Sequence, residues 1–215
     1  MSPVRIKCCG ITRIEDALAA ARLGFDAVGL VFARGSRRVL DLDQARRIRD
    51  ALPSGIAPVA LFMDNPVDEV QRVIAAVDPQ ILQFHGNEAD SFCGQFGLPY
   101  LKSVAMGEGA AALSALRHHP GAAALLLDGN VRGQAGGRGE SFDWSLVAGR
   151  MTQPWILAGG LDADNVAAAV RLTRPWGVDV SSGVESSPGC KDPDRMKRFV
   201  DAVRGVETHF SQEAP

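Results

Sequence analysis

The chain has 215 residues, 46% hydrophobic and 22% charged, with 23 Lys and Arg against 25 Asp and Glu for a net charge of -2. Such a chain can bury the full core of one globular domain, offers no basic field to nucleic acid, and has no run near the roughly 18 apolar residues of a membrane span. The N-terminus lacks a signal peptide's apolar segment, and Cys8, Cys9, Cys93 and Cys190 show neither Cys-x-x-Cys spacing nor disulfide density, so the expected setting is reducing and cytoplasmic.

Apolar runs as long as buried parallel strands alternate with amphipathic stretches throughout. The first run, Val4–Cys9, leads through Gly10-Ile11 to Thr12, which with Glu15 reads as a capping box opening a helix near Ile14–Ala21. The second, Ala27–Phe32, precedes a helical pattern near Asp43–Arg49. The third, Ala57–Phe62, precedes Asn65-Pro66, read as an N-cap with Pro at the first helical position. The fourth and fifth are Ile81–Phe84 and Tyr100–Val104. The sixth, Ala123–Asp128, ends in a carboxylate, and the glycine cluster Gly133–Gly139 after it reads as a mobile loop over a mouth. Trp155–Ala158 and Gly177–Ser181 are the seventh and eighth, and Asp192-Pro193 caps a final helix. Eight such units predict an α/β fold, a single-domain (β/α)8 TIM barrel over residues 1–215, with a core of about 4–205 and a short polar tail. The loops must be lean, since this fold typically takes about 250 residues. Trp144, Trp155 and Trp176 fall at helix starts or strand edges and read as packing.

In a barrel, every strand delivers its C-terminal residues to one mouth, where active sites are built. Alternation places Lys7 and Cys9 on one face and Cys8 on the other. Cys9 is thus a candidate thiol at the mouth, with Lys7 below it as an inward ammonium that favours the thiolate and needs Asp128 or Asp179 as partner. A lone strand cysteine is more often plain core. Asp128 after an all-apolar strand reads equally as a cap, and Cys9 facing the same cavity raises its functional weight. The turns at Gly159-Gly160 and Ser182-Gly183 end the last two strands, where barrels commonly hold phosphate. Among Arg34, Arg37 and Arg38 lies a planar fork suited to a carboxylate, although such a run is usually a solvated patch. His85 ends strand four and can line the site; His118, His119 and His209 read as exposed. One inward histidine makes no metal site, so no metal is expected.

These segments together resemble the phosphoribosylanthranilate isomerases of tryptophan biosynthesis. The resemblance rests on Lys7-Cys8-Cys9-Gly10-Ile11-Thr12, Gly29–Phe32 through Ser36-Arg37-Arg38, Leu82-Gln83-Phe84-His85-Gly86 and Leu126-Leu127-Asp128. It continues through Gly136–Gly139 with Phe142-Asp143-Trp144, Ala158–Asp162, Asn165-Val166, Asp179–Glu185 and Gly189–Asp192, in the family's order from Arg5 to about Val203. Cys8 replaces the usual aliphatic residue, Arg138 stands where the glycine loop usually has Ser or Thr, and Gly129 follows the aspartate. The resemblance implies a cofactor-free Amadori rearrangement of N-(5-phosphoribosyl)anthranilate to 1-(2-carboxyphenylamino)-1-deoxyribulose 5-phosphate, by a monomer or homodimer whose partner is this small-molecule substrate, with no nucleic acid or membrane. Asp128 would be the general acid on the furanose oxygen and Cys9 the base on C2. Arg38 would hold the anthranilate carboxylate, Gly159, Gly160, Ser182 and Gly183 the phosphate, with His85 and Asp179 contacting substrate and Lys7 and Gln83 supporting. Two rivals stand beside it. The related isomerase of histidine biosynthesis resembles a scheme with an aspartate at the end of strand one, where Cys9 stands here, and a non-catalytic barrel would keep the glycine loops but lose the acid and base.

Overall fold

A computed structural model describes residues 3–130 and 141–212, with side chains as far as 206. Eight parallel strands close into a barrel in chain order. They are β1 (Arg5–Cys9), β2 (Ala27–Val31), β3 (Ala57–Phe62), β4 (Ile81–Phe84), β5 (Tyr100–Ala105), β6 (Ala124–Asp128), β7 (Trp155–Leu157) and β8 (Gly177–Val180). Each lies within a residue or two of its sequence-based position, because short β-branched and leucine runs buried on both faces have few other ways to pair their backbones. β1 closes the barrel against β8 with Lys7 opposite Asp179, and pairs with β2 with Cys9 opposite Gly29.

The period-two alternation divides the core into two layers. Ile6 and Cys8, Val28 and Leu30, Phe62, Phe84, Leu125 and Leu127 face outward and pack under the helices. Val59, Leu101, Ala124, Leu126, Ile156 and Ala158 fill the lower barrel interior, as layered inward side chains do in this fold. Above that plug sit Cys9, Val31, Ala33 and Leu61. The polar inward residues thus stand on a dry floor.

Among the described residues the helical layer is thinner than eight full units. The α-helices are α1 (Ile14–Leu23), α2 (Leu42–Ala51), α3 (Val67–Val77), the five-residue α4 (Asp90–Gly94), α5 (Val166–Thr173) and α6 (Pro193–Gln212). After β5 the chain runs as a 3-10 segment, Gly109–Arg117, and before β7 as a 3-10 turn, Trp144–Leu146. Gly107 and Gly109 at the head of the longer segment, the latter at φ +63°, weaken a regular α-helical start there. Asp192 caps α6 as the sequence indicates, its Oδ1 accepting from the backbone of Asp194 (2.9 Å) and Arg195 (3.1 Å). α6 runs on through residue 205 to Gln212.

Two cap readings need correction. Thr12 does not cap α1: Arg13 holds the cap position with no side-chain bond, and the Thr12 hydroxyl instead donates to the Gly189 carbonyl at 2.5 Å. The competing partner lies far along the chain, in the antiparallel hairpin β9 (Glu185–Ser187) and β10 (Cys190–Lys191). Asn65 precedes α3 by two positions, with Pro66 as the cap residue. Its carboxamide, buried, accepts from Met63 N–H (2.9 Å) and donates to Phe32 O (3.2 Å) and Glu69 (2.9 Å), tying β2 to the start of α3. Trp176 is also not a packing residue, being 48% exposed. Its backbone stays in the barrel's lower rim, donating to Trp155 O while its carbonyl accepts from Arg5 N–H (both 3.0 Å), and the indole turns to solvent. The glycine cluster Gly133–Gly139 lies outside the described residues. Among the described residues no helix is long and apolar enough to cross a membrane.

Candidate active site

The strand ends converge on a cavity at the C-terminal mouth of about 730 Å³, counting its open side. Cys9, Arg38, Gln83, His85, Asp128, Gly159, Gly160, Asp179 and Ser182 all line it. Gly183 follows in the 3-10 turn Ser182–Val184, and a Cβ on it would run into the Leu161 carbonyl, so this glycine lets the loops after β7 and β8 lie against each other. Lys7 lies one layer below. Cys8, as alternation requires, is fully buried on the opposite face of β1, where burial pushes its thiol up to about 12.

Lys7 resolves its choice of partner through register. Opposite Asp179 across the barrel seam, its Nζ donates to Asp179 Oδ1 at 2.9 Å, with both side chains buried. Burial pulls the ammonium down, but Asp179 and then Cys9 outweigh it, and Lys7 stays charged. The thiol of Cys9 experiences the reverse contest. Burial pushes it above its ordinary value of 9.0, opposed chiefly by Lys7. The expectation that Lys7 favours the thiolate is right in sign and insufficient in size: at neutral pH the resting group is a thiol. Gly29, opposite Cys9 on β2, makes room for both, since a Cβ there would stand 2.8 Å from Cys9 Sγ and 3.2 Å from Lys7 Nζ.

Across the mouth, Asp128 ends β6 in a buried position. Its Oδ1 accepts from Asn130 N–H at 3.2 Å, and its Oδ2 lies 3.7 Å from His85 Nε2. Burial, helped by Lys102 and Lys7, presses the His85 imidazole down to about 4, so it faces Asp128 as a neutral ring. Ser103 Oγ stands 3.5 Å from the same ring nitrogen. Two buried polar atoms at the site, Gln83 Oε1 and His85 Nδ1, have no hydrogen-bond partner among the described residues. His119 does not behave as an exposed histidine; it is half-buried, with Nδ1 3.9 Å from Asp90 Oδ1. Side chains at His209 lie outside the described residues.

Arg38 is buried while Arg34 and Arg37 point outward. Part of its fork is already engaged, which the sequence did not indicate. Nε and Nη2 donate to Glu185 Oε1 and Oε2 at 2.7 and 2.6 Å, a bidentate pair reaching across the end of β1 from the segment after β8. The remaining nitrogen, Nη1, is the donor left for a guest in the cavity that Arg38 lines. Glu185 is shared with Lys191, whose Nζ donates to Glu185 Oε1 at 2.9 Å. The loop after β7 is braced by Asp162 and Asn165, the latter donating to Gly160 O at 2.7 Å. Sequence reasoning placed Cys9, Asp128, Arg38, His85, Asp179 and the glycine loops in one cavity and missed Gly29, Asn130, Glu185 and Lys191, which contact residues of its lining. Their signal was faint: a Glu and a Lys in a Ser- and Gly-rich hairpin look solvated until the hairpin packs against the C-terminal end of β1. Among the described residues, no group of three or more His, Cys, Asp or Glu side chains is placed to hold a metal ion.

The chain matches the family model described as N-(5'phosphoribosyl)anthranilate (PRA) isomerase over residues 6–202. It is 47% identical over 211 residues to the N-(5'-phosphoribosyl)anthranilate isomerase of Xanthomonas euvesicatoria pv. vesicatoria, covering 95% of each chain. Its fold is similar to the crystal structure of phosphoribosyl anthranilate isomerase from Thermotoga maritima, with a TM-score of 0.85 and 37% identity over 94% of this chain and 99% of that one. A further phosphoribosyl anthranilate isomerase, solved in complex with reduced 1-(o-carboxyphenylamino)-1-deoxyribulose 5-phosphate, has a TM-score of 0.79 and 35% identity over 94% and 99% of the two chains.

Proposed function

This chain belongs to the N-(5'-phosphoribosyl)anthranilate isomerase family, and from that premise we propose that it performs the family's Amadori rearrangement with Asp128 as acid and Cys9 as base. The observation that carries the assignment is the placement of an acid and a thiol at the ends of β6 and β1, facing one cavity above a dry floor.

Opening of the furanose requires a proton on the ring oxygen as the anilinic nitrogen pushes, and the Asp128 carboxyl supplies it. The neutral His85 beside Asp128 brings no full positive charge to it, and Asn130 N–H fixes the direction of its other oxygen. Ring opening leaves a protonated Schiff base. Cys9 then takes the proton from C2, giving an enolamine that tautomerises to the ketone. The thiol rests protonated, but the iminium charge of this intermediate arises beside it, adding to Lys7 and favouring the thiolate at the step that needs it. Arg38 receives the anthranilate carboxylate through the nitrogen that Glu185 leaves over. The backbones of Gly159, Gly160, Ser182 and Gly183 receive the phosphate, where glycine allows close approach of N–H groups to an anion. The chemistry needs no cofactor, since the substrate's own nitrogen supplies the electron push.

The test is to incubate the purified chain separately with N-(5-phosphoribosyl)anthranilate and with the aminoaldose substrate of the related histidine-pathway isomerase, following product in each. Turnover of the first is expected. Replacement Asp128→Asn keeps the shape and lowers kcat by about 10²–10⁴-fold, the scale of one acid-base group. Near-wild-type turnover by a well-folded Asp128→Asn protein removes Asp128 from the role.

A further inference from the structure

Lys191 has no solvent exposure at its side chain, and all three ammonium protons are used. Nζ donates to Cys9 O at 2.6 Å, Ser181 O at 3.1 Å and Glu185 Oε1 at 2.9 Å. Those acceptors are the backbone of the proposed base, the backbone that opens the loop after β8, and the carboxylate that grips Arg38. Ser181 closes the same knot by donating its hydroxyl to Cys9 O at 3.1 Å. The hairpin is itself anchored, with Lys191 N–H donating to the buried Asp16 carboxylate at 3.0 Å.

The charges in this knot do not cancel. Arg38 and Glu185 alone would form a neutral bidentate pair, which offers an incoming carboxylate the dipole of its remaining donor but no net charge, while Glu185 repels it. With Lys191 on the same Glu185 oxygen that accepts from Arg38 Nε, three buried groups carry a net charge of one positive unit, matched to one carboxylate. Burial pushes the Glu185 carboxyl up, but Arg38 and Lys191 together hold it below its ordinary range, so it remains ionised between them.

We propose that Lys191 is a specificity-determining positioning residue for this reaction: acting through Glu185, it gives the Arg38 clamp the positive charge that selects a carboxylate-bearing anilino group, while its bonds to Cys9 O and Ser181 O fix the clamp relative to the base and the phosphate loop. The inference rests on the reading that Arg38 receives the substrate carboxylate. It adds that Arg38 alone, already engaged by Glu185, does not provide the selectivity.

The test measures inhibition constants for two probes, reduced 1-(o-carboxyphenylamino)-1-deoxyribulose 5-phosphate and its phenylamino counterpart lacking the carboxylate. Their ratio reads the contribution of the carboxylate free of the shared phosphate and of turnover. Arg38→Ala should abolish the ratio. Lys191→Met should reduce it by about tenfold or more, the scale of one nearby charge in partly screened surroundings; any loosening of the phosphate loop weakens both probes alike and cancels in the ratio. The double variant Glu185→Gln/Lys191→Met removes one charge of each sign and restores a net positive unit on Arg38, so its ratio should recover toward wild type. Should Lys191→Met not fold, Lys191→Gln makes the same charge change while keeping amide donors for two of the three acceptors, and the same loss is expected. A folded Lys191 variant with the wild-type ratio overturns the inference, provided Arg38→Ala loses it. Equal losses in the Lys191 single and the double variant also overturn it, since they reduce Lys191 to a structural support. A wild-type ratio in Arg38→Ala instead overturns the Arg38 reading itself and the inference with it.

Discussion

Gly29→Ala tests the geometry around the thiol with a single added methyl group. The new Cβ would stand 2.8 Å from Cys9 Sγ, 3.1 Å from Cys9 Cα and 3.2 Å from Lys7 Nζ. Nonbonded carbon contacts are optimal near about 3.5–4.0 Å, so β1 and the thiol must retreat by roughly 0.5–1 Å. The barrel seam opposes this, because Lys7 on the same strand is held to Asp179 at 2.9 Å. Overpacking of this size costs about 1–3 kcal/mol, which for a domain of 150–250 residues lowers Tm by roughly 2–4 °C per kcal/mol. Catalysis should suffer more, since a displacement near 1 Å at the reacting atom costs about 10²-fold. Thermal melting and steady-state turnover of N-(5-phosphoribosyl)anthranilate measure both on one preparation. A folded Gly29→Ala protein with kcat within threefold of wild type, about 0.6 kcal/mol, would refute the placement of Cys9 Sγ against β2 and its role as base.

Iodoacetamide should alkylate Cys9 faster as pH rises. Because burial raises the thiol, the thiolate fraction is small at neutral pH and the rate should still be climbing beyond pH 9.0, as mass-mapped rates would show; a plateau near neutrality would contradict the raised thiol. Cys8→Val, on the helix-facing side of β1, should change stability by less than about 1.5 kcal/mol and leave kcat unaltered, as denaturant melts and kinetics would show. Arg38→Ala should raise KM by about 10–100-fold, the scale of lost charge-assisted hydrogen bonds, and leave inhibition by inorganic phosphate unaffected; equal losses would place the carboxylate elsewhere. Turnover should survive dialysis against EDTA, and loss restored by a divalent metal would point to metal-assisted chemistry.

What was readable in the sequence was what depends on neighbours along the chain. The strand period alone separates Cys9 from Cys8, and Asp192 caps α6 because the groups it satisfies lie two and three residues ahead. Features decided by closure were not readable. Lys7 could have paired with Asp128 or Asp179, and only the β1 to β8 register chooses Asp179. Thr12 carries a capping signature, yet Gly189 captures its hydroxyl from 177 residues away. Arg38 looked like a free fork because the Glu185 that engages two of its nitrogens lies 147 residues on. Gly29 looked like an ordinary strand glycine until the sheet placed it against a thiol and an ammonium. The 3-10 course of Gly109–Arg117 was not readable either, because its Ala- and Leu-rich run is strong in α-propensity and only the glycines at its head oppose a regular helix.

If Cys9 removes the C2 proton, the turnover of Cys9→Ala must collapse while its binding of product analogue survives. The variant loses only a sulfur atom beside the apolar side chains of Val31, Ala33 and Leu61, so it should fold and bind the reduced product analogue with near-wild-type affinity. Its kcat should fall by about 10²–10⁴-fold, as removal of one general base requires. A Cys9→Ala protein that binds the analogue normally and turns over within a few-fold of wild type would contradict the account.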